Sequence, residues 1–127
     1  MAEKSKAEKG MEIVGKLFGT GGGGGDGVKI PAEFNRVSIE HLFGDIWNQP
    51  GLSLEERSLV TCTVLVATGR EAEQRIHFRG ARNLGIPREK LEAMITHVAH
   101  YAGWPLGVGA HRVLDEVCSA MQAESTG

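Results

Sequence analysis

Apolar residues recur along most of this chain at intervals of three and four, the spacing that lines one face of an α-helix. The clearest case is "PREKLEAMITHVAHYAG", residues 87–103, where Leu91, Met94, Ile95, Val98, Ala99 and Ala102 form an unbroken stripe opened by Pro87. "LGVGAHRVLDEVCSAMQ", residues 106–122, places Ala110, Val113, Leu114, Val117 and Met121 on one side of a second helix. In "SLEERSLVTCTVLVATG", residues 53–69, Ser53 and Glu56 have the spacing of a capping box. From Leu59 to Ala67 that helix is apolar or small almost all round, which predicts a central position. "REAEQRIHFRGARNLG" follows and closes on Gly85, a natural residue for the left-handed turn after a helix. Near the start, Met11, Val14, Leu17 and Phe18 give residues 5–18 a helical stripe. "IPAEFNRVSIEHLFGDIWNQP" reads as one helix from Pro31 to Pro50, with Phe34, Val37, Ile39, Leu42, Phe43, Ile46 and Trp47 as its apolar positions. No run alternates long enough for a strand. The predicted fold class is all-α, with about six helices joined by short turns.

Composition adds boundaries to this outline. A chain of 127 residues, 41% hydrophobic and 24% charged, suits a single domain over 1–127 with one core. Residues 19–27, "GTGGGGGDG", hold seven glycines in nine positions and predict a flexible loop. This stretch lacks the strand or the Lys-Ser/Thr context of a phosphate-binding loop. A net charge of -2 leaves no electrostatic footprint for nucleic acid or an anionic membrane as partner. The N-terminal residues have no secretory apolar core, and no stretch approaches the roughly 18 apolar residues of a membrane span, so a cytoplasmic location is expected. The two cysteines, Cys62 and Cys118, have no CxxC or Cys/His spacing and are expected to be buried free thiols.

Three groups of residues carry candidate chemistry. Glu73 and His77 stand at i and i+4, where their side chains share a helix face. A carboxylate beside an imidazole orients the ring and raises its proton affinity, as a general acid near neutral pH requires. The same spacing also fits an ordinary surface pair. Gly80 and Leu84 continue this face and allow another element to cover it. Arg57 lies in the first turn of its helix, where the helix dipole does not favour a cation, so a binding partner or plain solvation must account for it. In "HVAHYAGWP", residues 97–105, His97, His100 and Tyr101 turn away from the apolar stripe, and the two histidines lie about 60° apart on the helix. Two imidazoles at i, i+3 fall short of a zinc or iron site, and only His111 is near in sequence, so no metal is expected. Gly103 and Pro105 predict a stop and a turn at "GWP".

The segment from Leu42 to Pro105 resembles the carboxymuconolactone decarboxylase family, a branch of the alkylhydroperoxidase D-like fold. The most specific motifs are "W-x-x-PGL-x-x-x-x-RSL" from Trp47, "GRE-x-E-x-x-x-H" ending at His77, and "YAGWP" at residues 101–105. "KGMEIVGKLFG" resembles the family's first helix, which extends the likeness over nearly the whole chain. The resemblance implies a cofactor-free, all-α homo-oligomer, commonly a trimer or hexamer. It also implies decarboxylation of gamma-carboxymuconolactone or a related unsaturated lactone acid to an enol-lactone. Peroxidase members carry CxxC at the positions of Arg70 and Glu73 and a glutamate at that of Ser58, and dithiol chemistry is not expected without them. In the decarboxylase reading His77 is the carbon acid, Glu73 orients it, and Arg57 clamps the retained carboxylate. Tyr101 or His97 would donate to the developing oxyanion, while Trp104 and Trp47 wall the pocket. Decarboxylase members often have histidine at Ala72 and an apolar residue at His100. These departures leave room for another small organic acid handled by an isomerase or cyclase, or for a non-catalytic oligomeric binding protein.

Overall fold

The computed structural model describes residues 3–19 and 29–126, which form helices, turns and short irregular links with no strand among them. The predicted loop at 19–27 lies outside the described residues except for Gly19. The elements run α1 (Lys6–Phe18), α2 (Ala32–Val37), a π-helical turn (Ser38–Phe43), a 3-10 turn (Ile46–Asn48), α3 (Leu54–Ala67), α4 (Glu71–Asn83), α5 (Arg88–Ala102) and α6 (Trp104–Thr126). The fold is all-α, as the periodicity requires. No described helix is long and apolar enough to cross a membrane.

Local sequence explains most of the boundaries. Ser5 and Glu8 close a capping box on α1, and Ser53 and Glu56 close another on α3. Gly85 takes a φ of 93° beyond the end of α4, where the amide of Ile86 donates to the Ala81 carbonyl at 3.0 Å. The "GWP" turn is tighter than predicted. Gly103 alone breaks the chain at φ 131°, and α6 starts at Trp104. Pro105 then sits in the first turn, where a missing N–H leaves no intrahelical bond unmade.

The segment from Pro31 to Pro50 is not one helix. Its α-helical part ends at Val37, the next turn widens to π geometry, and a 3-10 turn follows. Tertiary contact decides this. A Cβ on Gly10 would run into the Ile39 carbonyl, and one on Gly44 would run into that of Lys6, so α1 lies directly against the backbone of the π turn. Asn48 caps the distorted turn by donating through Nδ2 to the Phe43 carbonyl at 2.8 Å. Of the apolar positions expected here only Trp47 is buried; Phe34, Val37 and Leu42 are exposed.

Two clusters form the interior. The larger joins Cys62 and Val66 of α3, Phe78 and Ala81 of α4, Leu91, Ile95 and Val98 of α5, and Ala110, Val113, Leu114 and Val117 of α6. The smaller joins Ile13 and Leu17 of α1 to Trp47, with Phe18, Phe43, Leu54 and Leu84 at its margin. Helix α3 packs on α4, α5 and α6, yet Val60 and Val64 remain 52% and 54% exposed. The expected central helix therefore has one bare apolar face within the protomer.

Candidate active site

The face of α4 that begins at His77 is covered by α1. Gly80 leaves room for Leu17, whose side chain would stand 3.2 Å from an added Cβ. Asn83 donates through Nδ2 to the Leu17 carbonyl at 2.6 Å and satisfies a group that the end of α1 leaves free. This docking brings Phe18 over the imidazole, edge to face, with ring centroids 5.5 Å apart and an interplanar angle of 82°. Phe18 in turn meets Phe43 at 6.1 Å, and Phe43 meets Trp47 at 5.8 Å. A row of aromatic rings thus runs from His77 to the 3-10 turn.

Behind the ring lies the α3–α4 interface. The Cys62 thiol donates to the His77 carbonyl at 3.5 Å, and burial pushes its pKa up to about 12, so it remains a thiol. Ser58 is fully buried and close enough to lower that value, although it makes no hydrogen bond of good geometry. Gln74, also buried, donates through Nε2 to the Leu65 carbonyl at 3.0 Å and holds the two helices in register.

Burial changes the expected electrostatics of His77. Desolvation lowers its pKa below the ordinary 6.5, and the Glu73 carboxylate raises it by less. Glu73 is exposed and forms no hydrogen bond or ion pair with the ring among the described contacts. The i, i+4 spacing therefore gives a long-range field in place of the expected contact. His77 Nδ1 is buried and has no hydrogen-bond partner among the described residues.

Arg57 has a structural task that its position in the sequence did not reveal. Its Nη2 donates to the carbonyls of Gln49 at 2.8 Å and Pro50 at 3.4 Å, tying the start of α3 to the residues that follow Trp47. No hydrogen bond joins Arg57 to His77 among the described residues; the bonds of Arg57 go to the segment just beyond Trp47, where the aromatic row ends. No carboxylate pairs with Arg57 among the described residues.

The remaining predicted residues form a second group on α5 and α6. His97 stacks on Tyr101 with centroids 5.1 Å apart, and His100 meets Trp104 edge-on at 5.6 Å. Nδ1 of His100 lies 2.8 Å from the Thr96 carbonyl, so the proton sits on that nitrogen. This group is open to solvent, with Tyr101 84% and Trp104 60% exposed. It borders a shallow depression of about 680 Å³ lined by Glu92, Ala93, Thr96, His97, His100 and Tyr101, a set that includes neither Arg57 nor His77. Among the described residues, no three His, Cys, Asp or Glu side chains converge to hold a metal ion. Phe18 and Cys62 were missed as neighbours of His77, and Phe43 and Ser58 as the residues next to them. Phe18 closes the stripe of α1, but nothing in its local pattern says which helix it meets.

Such a chain is an all-α protein whose partly buried imidazole meets the ring of Phe18, with a guanidinium, that of Arg57, bound to backbone carbonyls just beyond Trp47. Comparison with known sequences gives this class its family. A model of the carboxymuconolactone decarboxylase family matches residues 32–116, and the chain belongs to that family. It is 39% identical over 85 residues to 4-carboxymuconolactone decarboxylase of Acinetobacter baylyi, covering 67% of this chain and 63% of the relative. It is also 30% identical over 82 residues to nitrosuccinic acid decarboxylase of Metarhizium robertsii, covering 65% of this chain and 57% of the relative. The chain thus spans about three fifths of the length of these curated relatives.

Proposed function

We propose that this chain is a cofactor-independent carboxy-lyase that converts gamma-carboxymuconolactone, or a related unsaturated lactone acid, to an enol-lactone. The observation that carries this reading is His77, an imidazole kept from full hydration beside a row of aromatic rings, in a chain of this family. When the C–C bond to the departing carboxylate breaks, its electron pair moves through the conjugated double bond onto the lactone carbonyl. Carbon dioxide leaves, and a proton must then reach carbon. The substrate ring system holds the electrons, so the protein has to position, exclude water and deliver that proton.

His77 delivers it. In the empty site burial favours the neutral ring. A bound carboxylate-bearing substrate adds negative charge nearby, restores proton affinity and lets the ring take a proton from solvent. Glu73 adds to this field from its own helix. Arg57 pairs with the retained carboxylate as it continues to brace the turn after Trp47, while Trp47 walls the pocket. Tyr101, His97 and Trp104 act in trans. They complete the oxyanion donor and the pocket wall from a neighbouring copy in a trimer or hexamer, a role supported by their exposure and by the bare apolar face of α3. A second reading, decarboxylation of an acyclic nitro acid, is favoured by the similarity to a relative named for nitrosuccinic acid.

The test is turnover. Purified protein is mixed with gamma-carboxymuconolactone and, separately, with nitrosuccinic acid, and carbon dioxide release is followed beside Arg57→Ala and His77→Ala. Release from the lactone, lost in both variants, supports the first reading. Release from nitrosuccinic acid alone supports the second. No release from either removes both.

A further inference from the structure

The family match begins at residue 32, whereas the aromatic ring over His77 comes from residue 18. We infer that Phe18 is a positioning residue for His77, delivered to the site by an N-terminal helix that lies outside the family-matched segment.

Three observations carry this. First, the approach is specific: Phe18 meets the imidazole edge to face at 82°, an arrangement that fixes the plane of the ring as well as covering it. Second, α1 is held in place on both sides of Phe18. Upstream, Leu17 fills the space left by Gly80 and its carbonyl accepts from Asn83; across the helix, Phe43 packs on Phe18 from the π turn. The ring is therefore placed by backbone and side-chain contacts together. Third, among the described residues the only aromatic ring against the imidazole is that of Phe18. The Cys62 thiol of α3 reaches the backbone carbonyl of His77 and not its ring, and on its own helix the charge that acts on the ring is Glu73. Arg75 and Arg79 of α4 are engaged with Glu116 and Glu124 of α6. Phe43 of the π turn packs on Phe18, and of that turn's charged residues Glu40 pairs with Arg36 while His41 lies 3.6 Å from Asp45.

Phe18 thus has two effects on one nitrogen heterocycle. It withholds water from the imidazole, which favours the uncharged form, and it restricts the rotation of the ring, which sets where the exchangeable proton points. A chain with the same motifs from residue 32 onward, but another residue at this place, would have the same histidine with a different proton affinity and aim.

The experiment titrates His77 in the intact chain by nuclear magnetic resonance of labelled histidine, with His77→Gln used to assign its signal. The inference rests on the proposed function only in the choice of His77, and the titration needs no turnover. A protein that releases no carbon dioxide can still pass this test, and an active one can fail it. Phe18→Ala and Phe18→Gln are compared with Phe18→Tyr and with Met11→Ala, an exposed change on the same helix. Folding of each is checked by its circular dichroism and melting. The expected result is a midpoint that rises toward 6.5 in Phe18→Ala and Phe18→Gln. Phe18→Tyr and Met11→Ala should keep the wild-type midpoint. An unchanged midpoint in a folded Phe18→Ala or Phe18→Gln overturns the inference. So does an equal rise in Met11→Ala, because loosening of α1 as a whole would then be the cause. If Phe18→Ala does not fold, Phe18→Gln decides, since glutamine keeps helix propensity and length while admitting water.

Discussion

His77 and His100 are the same residue type on consecutive helices of one small protein, and they stand in opposite surroundings. His77 has Phe18 against its face, a thiol behind its carbonyl and a lowered pKa. His100 donates to a carbonyl one turn back on its own helix and meets an exposed Trp104. The difference teaches that side-chain chemistry in this fold is set by what packs over a helix face. Sequence spacing determines which residues share that face, and a third element determines whether they are dry.

Turnover offers the widest separation between the two. Replacing His77 by alanine removes a positioned proton donor and should lower kcat/KM by about 10²- to 10⁴-fold, whereas His100→Ala should stay within about threefold. Steady-state rates on gamma-carboxymuconolactone check this, and equal losses would erase the distinction between the two regions.

Stability gives the next contrast. Phe78 is fully buried in the main cluster, and Phe78→Ala should cost about 3–5 kcal/mol in chemical denaturation. Tyr101→Ala should cost under about 0.5 kcal/mol in an isolated protomer. A larger loss that grows with protein concentration would show Tyr101 to be covered by another copy of the chain.

The pH dependence separates the regions more finely. Because the folded pKa of His77 lies below 6.5, the unfolded chain binds its proton more readily than the folded chain does. Its stabilising contribution is complete above pH 6.5 and is lost as the pH falls from there through the folded pKa. Denaturation midpoints should therefore drop on going from about pH 7.5 to pH 5.5, and His77→Gln should flatten that drop while His100→Gln leaves it in place. If substrate charge restores the proton affinity of His77, the limb in kcat should also lie at higher pH than the limb in kcat/KM.

The smallest expected effect concerns Glu73. Its field raises the proton affinity of His77 without contact, so Glu73→Gln should move the His77 midpoint slightly downward. A large change in either direction would mean that the carboxylate reaches the ring in solution.

How much of this was legible follows from where each determinant lies. The capping boxes of α1 and α3, the stripes of α5 and α6 and the glycine after α4 are local, and the sequence displays them directly. The region from Pro31 to Pro50 was misread as one helix because its π turn depends on α1 pressing on Ile39 and Gly44, residues whose own pattern is still helical. For the candidate site, the pair Glu73 and His77 was readable as a shared face. The sign of the shift was not, since it depends on burial by elements packed over that face, among them α1 from far upstream. Arg57 was readable as a cation without a local reason, and its bonds to Gln49 and Pro50 emerge only in the folded chain. His97, His100 and Tyr101 were correctly turned away from the apolar stripe of their own helix; one protomer leaves them on its surface.

Gly10 carries a consequence of its own. Because any side chain there would meet the Ile39 carbonyl, α1 can seat on the π turn only where the glycine passes that oxygen. Phe18 lies eight residues further along a rigid helix, about 12 Å away at 1.5 Å per residue. The seat at Gly10 thus acts as a notch that indexes the helix lengthwise, so that a slip of one residue at the notch would carry the aromatic ring off the imidazole at the other end.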